Sequence, residues 1–568
     1  MLLRDMLEGV SATVLQGTVD KEITVLTNDS RKAVEGSLFV CICGTKVDSH
    51  DYIPQVAANG AAAIVIEKDP ESAGIILSGK RSGQESRTYS PGSEADGSGC
   101  GAAGQESDAD GSGCGAAGQE SEADGSGCDA AGQVSEADVQ ADSTASAYEL
   151  PAELTVIRVD SSREAMAYLS AAWFGHPTRN MNVIGITGTK GKTTTSYMLK
   201  SILEKAGHKV GLIGTNGTMI GSEFYKTKNT TPDSYELQGY FRKMSDSGCD
   251  FVVMEVSSQG LMMHRVDAID FDLGVFTNIS PDHISPNEHK TYEEYRACKG
   301  LLFRKCRVGI VNTDDPDCGE LTAGHTCELL SMGMGGGEDY TASDVRNLKE
   351  GAFMGVSFRI NEKNGNAYAV RTSIPGLFSV YNSLAAASAA SFFGVSPEVI
   401  DEALANIHVN GRMEIVYASD RLTVIVDYAH NGVSAHAVLK TLRDYKPTRL
   451  VVVFGCGGNR AAQRRIEMGE AAGGMADLSI ITADNSRFEK VEDIMKDIHK
   501  GFDPTGGNCI DIPDRREAIR YSILNSEYGD VVAIIGKGHE DYQEINGVRE
   551  HFLDREEAEA ALKEAGLL

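Results

Sequence analysis

MNVIGITGTKGKTTTSYMLKSILEKAG, residues 181–207, reads as an apolar strand, a glycine turn and a helix in immediate succession. Glycines at 188 and 191 let backbone N–H groups close around phosphate oxygens, and the N-terminus of the following helix adds partial positive charge. Lys192 is placed to reach the β- and γ-phosphates of a nucleotide, and the Thr193 hydroxyl to ligate Mg²⁺. The pattern G-x-x-x-x-G-K-[ST] is broken at one point: Ile186 holds the first glycine position and Gly185 comes one residue early. A plain glycine turn is the alternative reading. The strand, the GKT triplet and the helix together weigh against it.

Outward from this loop, apolar β-branched runs alternate with helical patterns, which predicts layered α/β domains. Upstream lie GSLFVCICG (36–44), AAAIVIEKD (61–69), LTVIRVDS (154–161) and the helix SREAMAYLSAAWFG (162–175). Downstream come FVVMEVSS (251–258), DLGVFTNI (272–279), VGIVN (308–312) and a helix at YNSLAAASAASFFG (381–394). After GRMEIV (411–416) the strands TVIVDYAH (423–430), RLVVVFGCGG (449–458), LSIITADN (478–485) and DVVAIIGKGHED (530–541) form a third pattern. Each ends in glycine or a polar cluster, where open α/β sheets hold ligands. Three domains are expected, 1–179, 180–411 and 412–568; a chain of 568 residues is too long for one core.

The formal charge is −29, from 53 Lys+Arg against 82 Asp+Glu, but it is unevenly spread. Residues 82–148 carry 13 acidic side chains and one basic one, Arg87, so that this stretch supplies −12 of the total. It is a repeat: GQESDADGSGCGAA (104–117) is followed by GQESEADGSGCDAA (118–131), with Cys100, Cys114 and Cys128 every 14 residues. Gly, Ser, Asp and Glu cannot bury enough surface to offset backbone ordering, so 79–148 is expected to be a disordered insertion in the first domain. The acidic balance argues against nucleic acid and anionic membrane as partners. With no opening signal pattern in MLLRDMLEGVSATV and no 18-residue apolar run, a cytoplasmic location with mostly free thiols among the 12 cysteines is expected.

Further landmarks follow in a fixed order: NTTPDS (229–234), MEVSSQGL (254–261), TNISPDH (277–283), YRACKGLLF (295–303), NTDDP (312–316), GRME (411–414), DYAHN (427–431), FGCGGNR (454–460), ADNSR (483–487) and GKGHEDYQ (536–543). With TGTKGKTTT this series resembles the Mur ligases, over essentially the whole chain except the insertion. Within that family it is most similar to the branch adding the third residue of the peptidoglycan stem peptide. The resemblance implies a three-domain α/β architecture: an N-terminal domain for the UDP-sugar peptide, a central P-loop ATPase-like domain, and a Rossmann-like C-terminal domain for the amino acid. It implies ATP-dependent amide ligation through an acyl phosphate.

The family's site residues carry over motif by motif. ATP is assigned to Gly188, Thr189, Lys190, Gly191, Lys192, Thr193 and Thr194, with Asn312, Asp315, Asn382, Arg412, Asp427 and His430. Thr193, Glu255, His283 and Lys299 are the implied Mg²⁺ ligands, Lys299 as a carbamate formed with CO₂. Lys192, Lys299, His283 and Arg412 are the implied catalytic set. Ser30, Thr45, Lys46, Thr230, Thr231, Ser257, Arg265 and Lys299 match contacts to UDP-N-acetylmuramoyl dipeptide. Arg460, Asp484, Asn485, Arg487, Gly536 and Glu540 match contacts to the incoming amino acid.

Three positions depart from the family pattern: Ser379 for an asparagine, Met263 for a glutamine, and Ser486 for the proline of a DNPR motif. The retained Arg487 can grip a second carboxylate in a bidentate pair, which favours meso-diaminopimelate over L-lysine or another diamino acid. A monomer is expected. A non-catalytic nucleotide-binding relative, and a ligase acting on folate or cyanophycin carriers, are the competing readings. Glu255, His283, Lys299, Arg487 and Glu540 speak against the first, and NTTPDS with Ser30 of NDSR against the second.

Overall fold

The computed structural model describes residues 1–44, 47–78, 147–285 and 288–568, with the backbone of 88–89. Thr45, Lys46, the three repeat cysteines and nearly all of the predicted insertion lie outside the described residues. Two short pieces at the margins of the insertion pair as strand: Thr88–Tyr89 against Ala12–Thr13, and Tyr148–Glu149 against Ile75–Ile76. These margins carry Thr and Tyr, which favour strand, where the repeat carries Gly, Ser and Asp.

The chain divides into two compact units, Met1–Ser162 and Arg163–Leu568. The first is built on a six-stranded sheet. Val25–Thr27, Ser37–Val40, Ala63–Ile66 and Thr155–Val159 run parallel in that order, Ala12–Gln16 follows antiparallel, and Thr88–Tyr89 is the edge strand beyond it. The runs on either side of the insertion are therefore sheet neighbours, with Ile64 opposite Val156.

The second unit holds an 11-stranded and a six-stranded sheet. At the centre of the larger sheet Asn182–Thr187 lies between Phe251–Glu255 and Phe271–Phe276, all parallel. The register sets Glu255 beside Ile186 and Phe276 beside Thr187. Three loops thus leave one sheet edge at one level. The helix Lys192–Lys205 packs on Leu377–Phe392, which begins four residues before the expected start and is buried on nearly every side. Its run of Ala and Ser explains both facts, since small side chains admit close neighbours all round.

In the smaller sheet Asp530–Ile535 lies between Leu422–Asp427 and Leu450–Phe454, followed by Leu478–Ile481 and Cys509–Asp511, all parallel. Ile535 faces Asp427 on one side and Phe454 on the other, and Phe454 faces Ile481. The loops after these four strands therefore also share one edge, on both sides of a reversal in strand order. One apolar core runs from Ile184 and Met198 through Leu384 to Ile425, Val452 and Ile535, joining both sheets of this unit. No helix among the described residues is long and apolar enough to cross a membrane.

Candidate active site

The glycine loop is conformationally committed. Gly188 has φ 151° and Gly191 φ 87°, and a Cβ at Gly188 would lie 2.0 Å from Thr277 Oγ1. Gly191 in turn approaches Asn382, whose Oδ1 would stand 2.3 Å from an added Cβ and accepts from Thr195 Oγ1 at 3.4 Å. Asn382 therefore buttresses the loop. The Lys192 ammonium curls over it, donating to the Gly188 and Thr189 carbonyls at 2.8 and 3.1 Å, and burial lowers its pKa. Lys190 donates to Asp282 Oδ2 at 3.1 Å, and Thr194 is buried in the first helical turn.

Thr193 Oγ1 donates to Glu255 Oε2 at 3.0 Å. Glu255, 1% exposed, also accepts from the backbone N–H and the hydroxyl of Thr215, at 2.9 and 3.0 Å. Thr230 meets Thr215 hydroxyl to hydroxyl at 3.0 Å. Thr231 donates to the Glu255 carbonyl at 3.0 Å and to Ser257 Oγ at 3.1 Å. Arg265 donates to the Thr231 carbonyl at 2.9 Å and pairs with Asp233. The residues assigned to the muramoyl peptide on this unit, Lys299 aside, are thus one hydrogen-bonded cluster, contiguous with Thr193. Ser30 stands in the other unit, in a short 3₁₀ turn Ser30–Lys32 capped by Asp29.

Lys299 is 1% exposed and donates to the Gly188 carbonyl at 2.9 Å. Burial, then the neighbouring charge of Lys192, holds its pKa well below the ordinary lysine value. Tyr295 lies beneath it: the ammonium is 4.4 Å from the ring centroid, and the phenol meets Thr189 Oγ1 at 2.9 Å. Of the four predicted metal ligands, Thr193 and Glu255 touch each other, while His283 pairs with Glu288 at 2.8 Å, its ring 6.0 Å from that of Tyr295. The buried hydroxyl and carboxylate are hard oxygen donors of the kind Mg²⁺ takes, so the donor set fits that ion. Asn312 and Asp315 brace the loop that carries Asp282 and His283, through Thr277 O at 2.8 Å and Ile279 N–H at 2.7 Å.

At the junction between the two sheets, Asp427 accepts from the Met413 and Ala429 N–H groups at 2.7 and 2.8 Å. Burial raises its pKa. Tyr428 collects three basic groups around its ring: Arg412 at 4.7 Å, His430 at 4.7 Å and His539 at 4.9 Å. His539 is pushed down to about 4 by burial and by Arg412.

A cavity of about 120 Å³ opens at the edge of the smaller sheet. All six residues assigned to the amino acid line it: Arg460, Asp484, Asn485, Arg487, Gly536 and Glu540. Arg487, at φ 51°, donates to the Gly458 carbonyl at 2.7 Å. Asn485 donates to Glu540 Oε2 at 2.7 Å and accepts from Lys537 and from the Glu544 N–H. Burial and the nearby Asp484 raise the Glu540 pKa. The sequence reading missed Thr215 and Arg464, which lie outside its motifs, and gave no role to Tyr428 of DYAHN or Tyr295 of YRACKGLLF. His430, assigned to the nucleotide, lines the same cavity.

Residues 186–390 match the Mur ligase middle domain, 411–538 the Mur ligase glutamate ligase domain, and 22–88 the Mur ligase family catalytic domain. The UDP-N-acetylmuramoyl-L-alanyl-D-glutamate–2,6-diaminopimelate ligase of Geobacillus thermodenitrificans is 36% identical over 553 residues, 96% of this chain and 95% of that protein. The enzyme of the same name from Clostridium botulinum is 34% identical, with 96% of each chain covered. A solved structure of a ligase so named superposes with TM-score 0.62 at 25% identity, over 96% of this chain and 95% of the other. Full-length similarity and three matching domains agree: the chain belongs to the Mur ligase family.

Proposed function

We propose that this Mur ligase joins meso-diaminopimelate to UDP-N-acetylmuramoyl-L-alanyl-D-glutamate at the expense of ATP, in the building of peptidoglycan. The glutamate carboxylate attacks the γ-phosphate and ADP departs; the amine then displaces phosphate from the acyl phosphate. The glycine loop and Lys192 hold the phosphates, and Arg412 and Asp427 approach from the junction. Mg²⁺ held by Thr193 and Glu255 would supply charge neutralisation between two anionic reactants. His283 would join them after release from Glu288. Thr230, Thr231, Ser257 and Arg265 position the muramoyl peptide beside them, with Ser30, Thr45 and Lys46 at the UDP end.

Lys299 supports a further part of this reading. Its lowered pKa favours the neutral amine, whose lone pair adds to the carbon of CO₂ with loss of one N–H proton. The product is a buried carbamate, an additional oxygen ligand.

The cavity wall carries the choice of amino acid. Arg487 and Arg460 are cations for carboxylates, and Glu540 with Asp484 are anions for ammonium groups. A diamino dicarboxylate uses both sets, whereas L-lysine leaves one arginine without a partner. The deciding experiment measures ADP release with ATP and the UDP-muramoyl dipeptide, each candidate amino acid being supplied in turn. Turnover with meso-diaminopimelate is expected. Turnover with L-lysine alone would overturn the specificity, and none with any amino acid would overturn the ligase reading.

A further inference from the structure

His430 lines the cavity at the edge of the smaller sheet. It lies after the strand Leu422–Asp427 and before the helix Gly432–Arg443, whose cap Asn431 accepts from the Ser434 N–H at 2.9 Å. Its backbone is therefore fixed on both sides. Nδ1 lies 2.9 Å from the Tyr428 carbonyl oxygen. A carbonyl can only accept, so Nδ1 carries the hydrogen and Nε2 of the neutral ring is left with its lone pair. The ring is open to the amino-acid cavity, which it lines with Arg460, Arg464 and Glu540.

Its neighbours locate it further. The charges acting on the imidazole are Arg464 from the helix Ala462–Met475, Lys190 from the glycine loop and Arg412 from the junction. One borders the amino-acid cavity and another the phosphate loop. His430 thus lines the cavity within electrostatic reach of both the glycine loop and the junction. Burial and these cations hold the ring neutral at physiological pH. They act in the same sense on an ammonium bound beside it, lowering the cost of its deprotonation.

We propose that His430 Nε2 accepts the proton of the reacting ammonium of the incoming amino acid, making it a catalytic base of the ligation. This rests on the ligase reading above. The ammonium gives one proton to Nε2. The freed lone pair forms the C–N bond at the acyl carbon, and the C–O bond to phosphate breaks with its electron pair. The second proton leaves the new amide nitrogen with the departing phosphate, and Nε2 returns its proton to water.

The test separates this role from nucleotide binding. Hydroxylamine is an unprotonated nucleophile at neutral pH and attacks an acyl phosphate without a base. In the full-length protein, His430→Gln and His430→Asn should lose about 10²-fold in turnover with meso-diaminopimelate, the usual weight of a general base. Hydroxamate formation from the UDP-muramoyl dipeptide, ATP and hydroxylamine should stay near wild type, which also reports an intact fold. The rate with meso-diaminopimelate should recover as pH rises towards the pKa of the free amine. A parallel fall of both reactions, with a raised KM for ATP, would return His430 to the nucleotide and overturn the proposal. So would unchanged turnover with meso-diaminopimelate, or a fall with an unchanged pH profile. Failure of the ligase reading is separately visible, as wild-type protein that releases no ADP with the UDP-muramoyl dipeptide and either nucleophile.

Discussion

Thr193 Oγ1 and Glu255 Oε2 are 3.0 Å apart, a hydrogen bond that ties the first turn of the helix after the glycine loop to the end of the neighbouring strand. Sixty-two residues separate them in sequence. Parallel pairing of Phe251–Glu255 with Asn182–Thr187 brings the carboxylate to the loop.

Glu255→Gln keeps the shape but removes the charge. Its amide oxygen can still accept from Thr215, yet it no longer attracts a divalent cation. Turnover should fall by about 10²-fold or more, the range for losing one preorganised electrostatic contact. A titration of rate against Mg²⁺ checks this, with the midpoint moving to higher concentration. An unchanged midpoint would remove Glu255 from the metal site.

Lys299→Ala should abolish turnover, and added bicarbonate should not restore it. The alanine has no amine to react with CO₂ and leaves the Gly188 carbonyl without its buried donor. Near-normal activity in a steady-state ADP assay would refute the carbamate.

Arg487→Ala and Glu540→Gln probe opposite ends of the substrate. Each removes a charged partner in a cavity that holds both signs. Each should raise KM for meso-diaminopimelate by about 10- to 100-fold, in line with roughly 1.5–3 kcal/mol for a hydrogen bond to a charged group. Neither should alter KM for ATP. An equal rise for ATP would mean that the cavity serves the nucleotide.

His499 gives a pH dependence of stability remote from the site. It ends the helix Val491–Phe502 and bridges Asp503 at 2.8 Å and Asp511 at 3.0 Å, which raise its pKa. A raised histidine pKa stabilises the fold fully below the unfolded value of about 6.5. That stabilisation is lost as pH rises through the folded value. The urea midpoint of wild type should therefore drop relative to His499→Gln between pH 6 and pH 9. Parallel midpoints across that range would show that the two carboxylates contribute nothing.

Much of the molecule was legible in local sequence. The loop after Thr187, the strand at 251–255 and the strands of the C-terminal sheet have a short-range pattern, set by apolar runs and glycine punctuation. The ordered motifs gave the family because each is a contiguous stretch. The six amino-acid residues fell into one cavity because they lie at three strand ends whose register the parallel sheet aligns.

The sequence alone determined the α/β layering, the glycine loop and the family, since strand, turn and helix propensities act within a few residues. Only the tertiary structure decided which side chains meet across the sheets. It set Thr215 on Glu255, Tyr295 under Lys299, and Tyr428 among Arg412, His430 and His539. It also set His430, expected at the nucleotide, on the wall of the cavity lined by the six residues expected at the amino acid. The physical reason is common to all of these. Strand register and the reversal in strand order fix distances between residues far apart in the chain, and no local pattern encodes them.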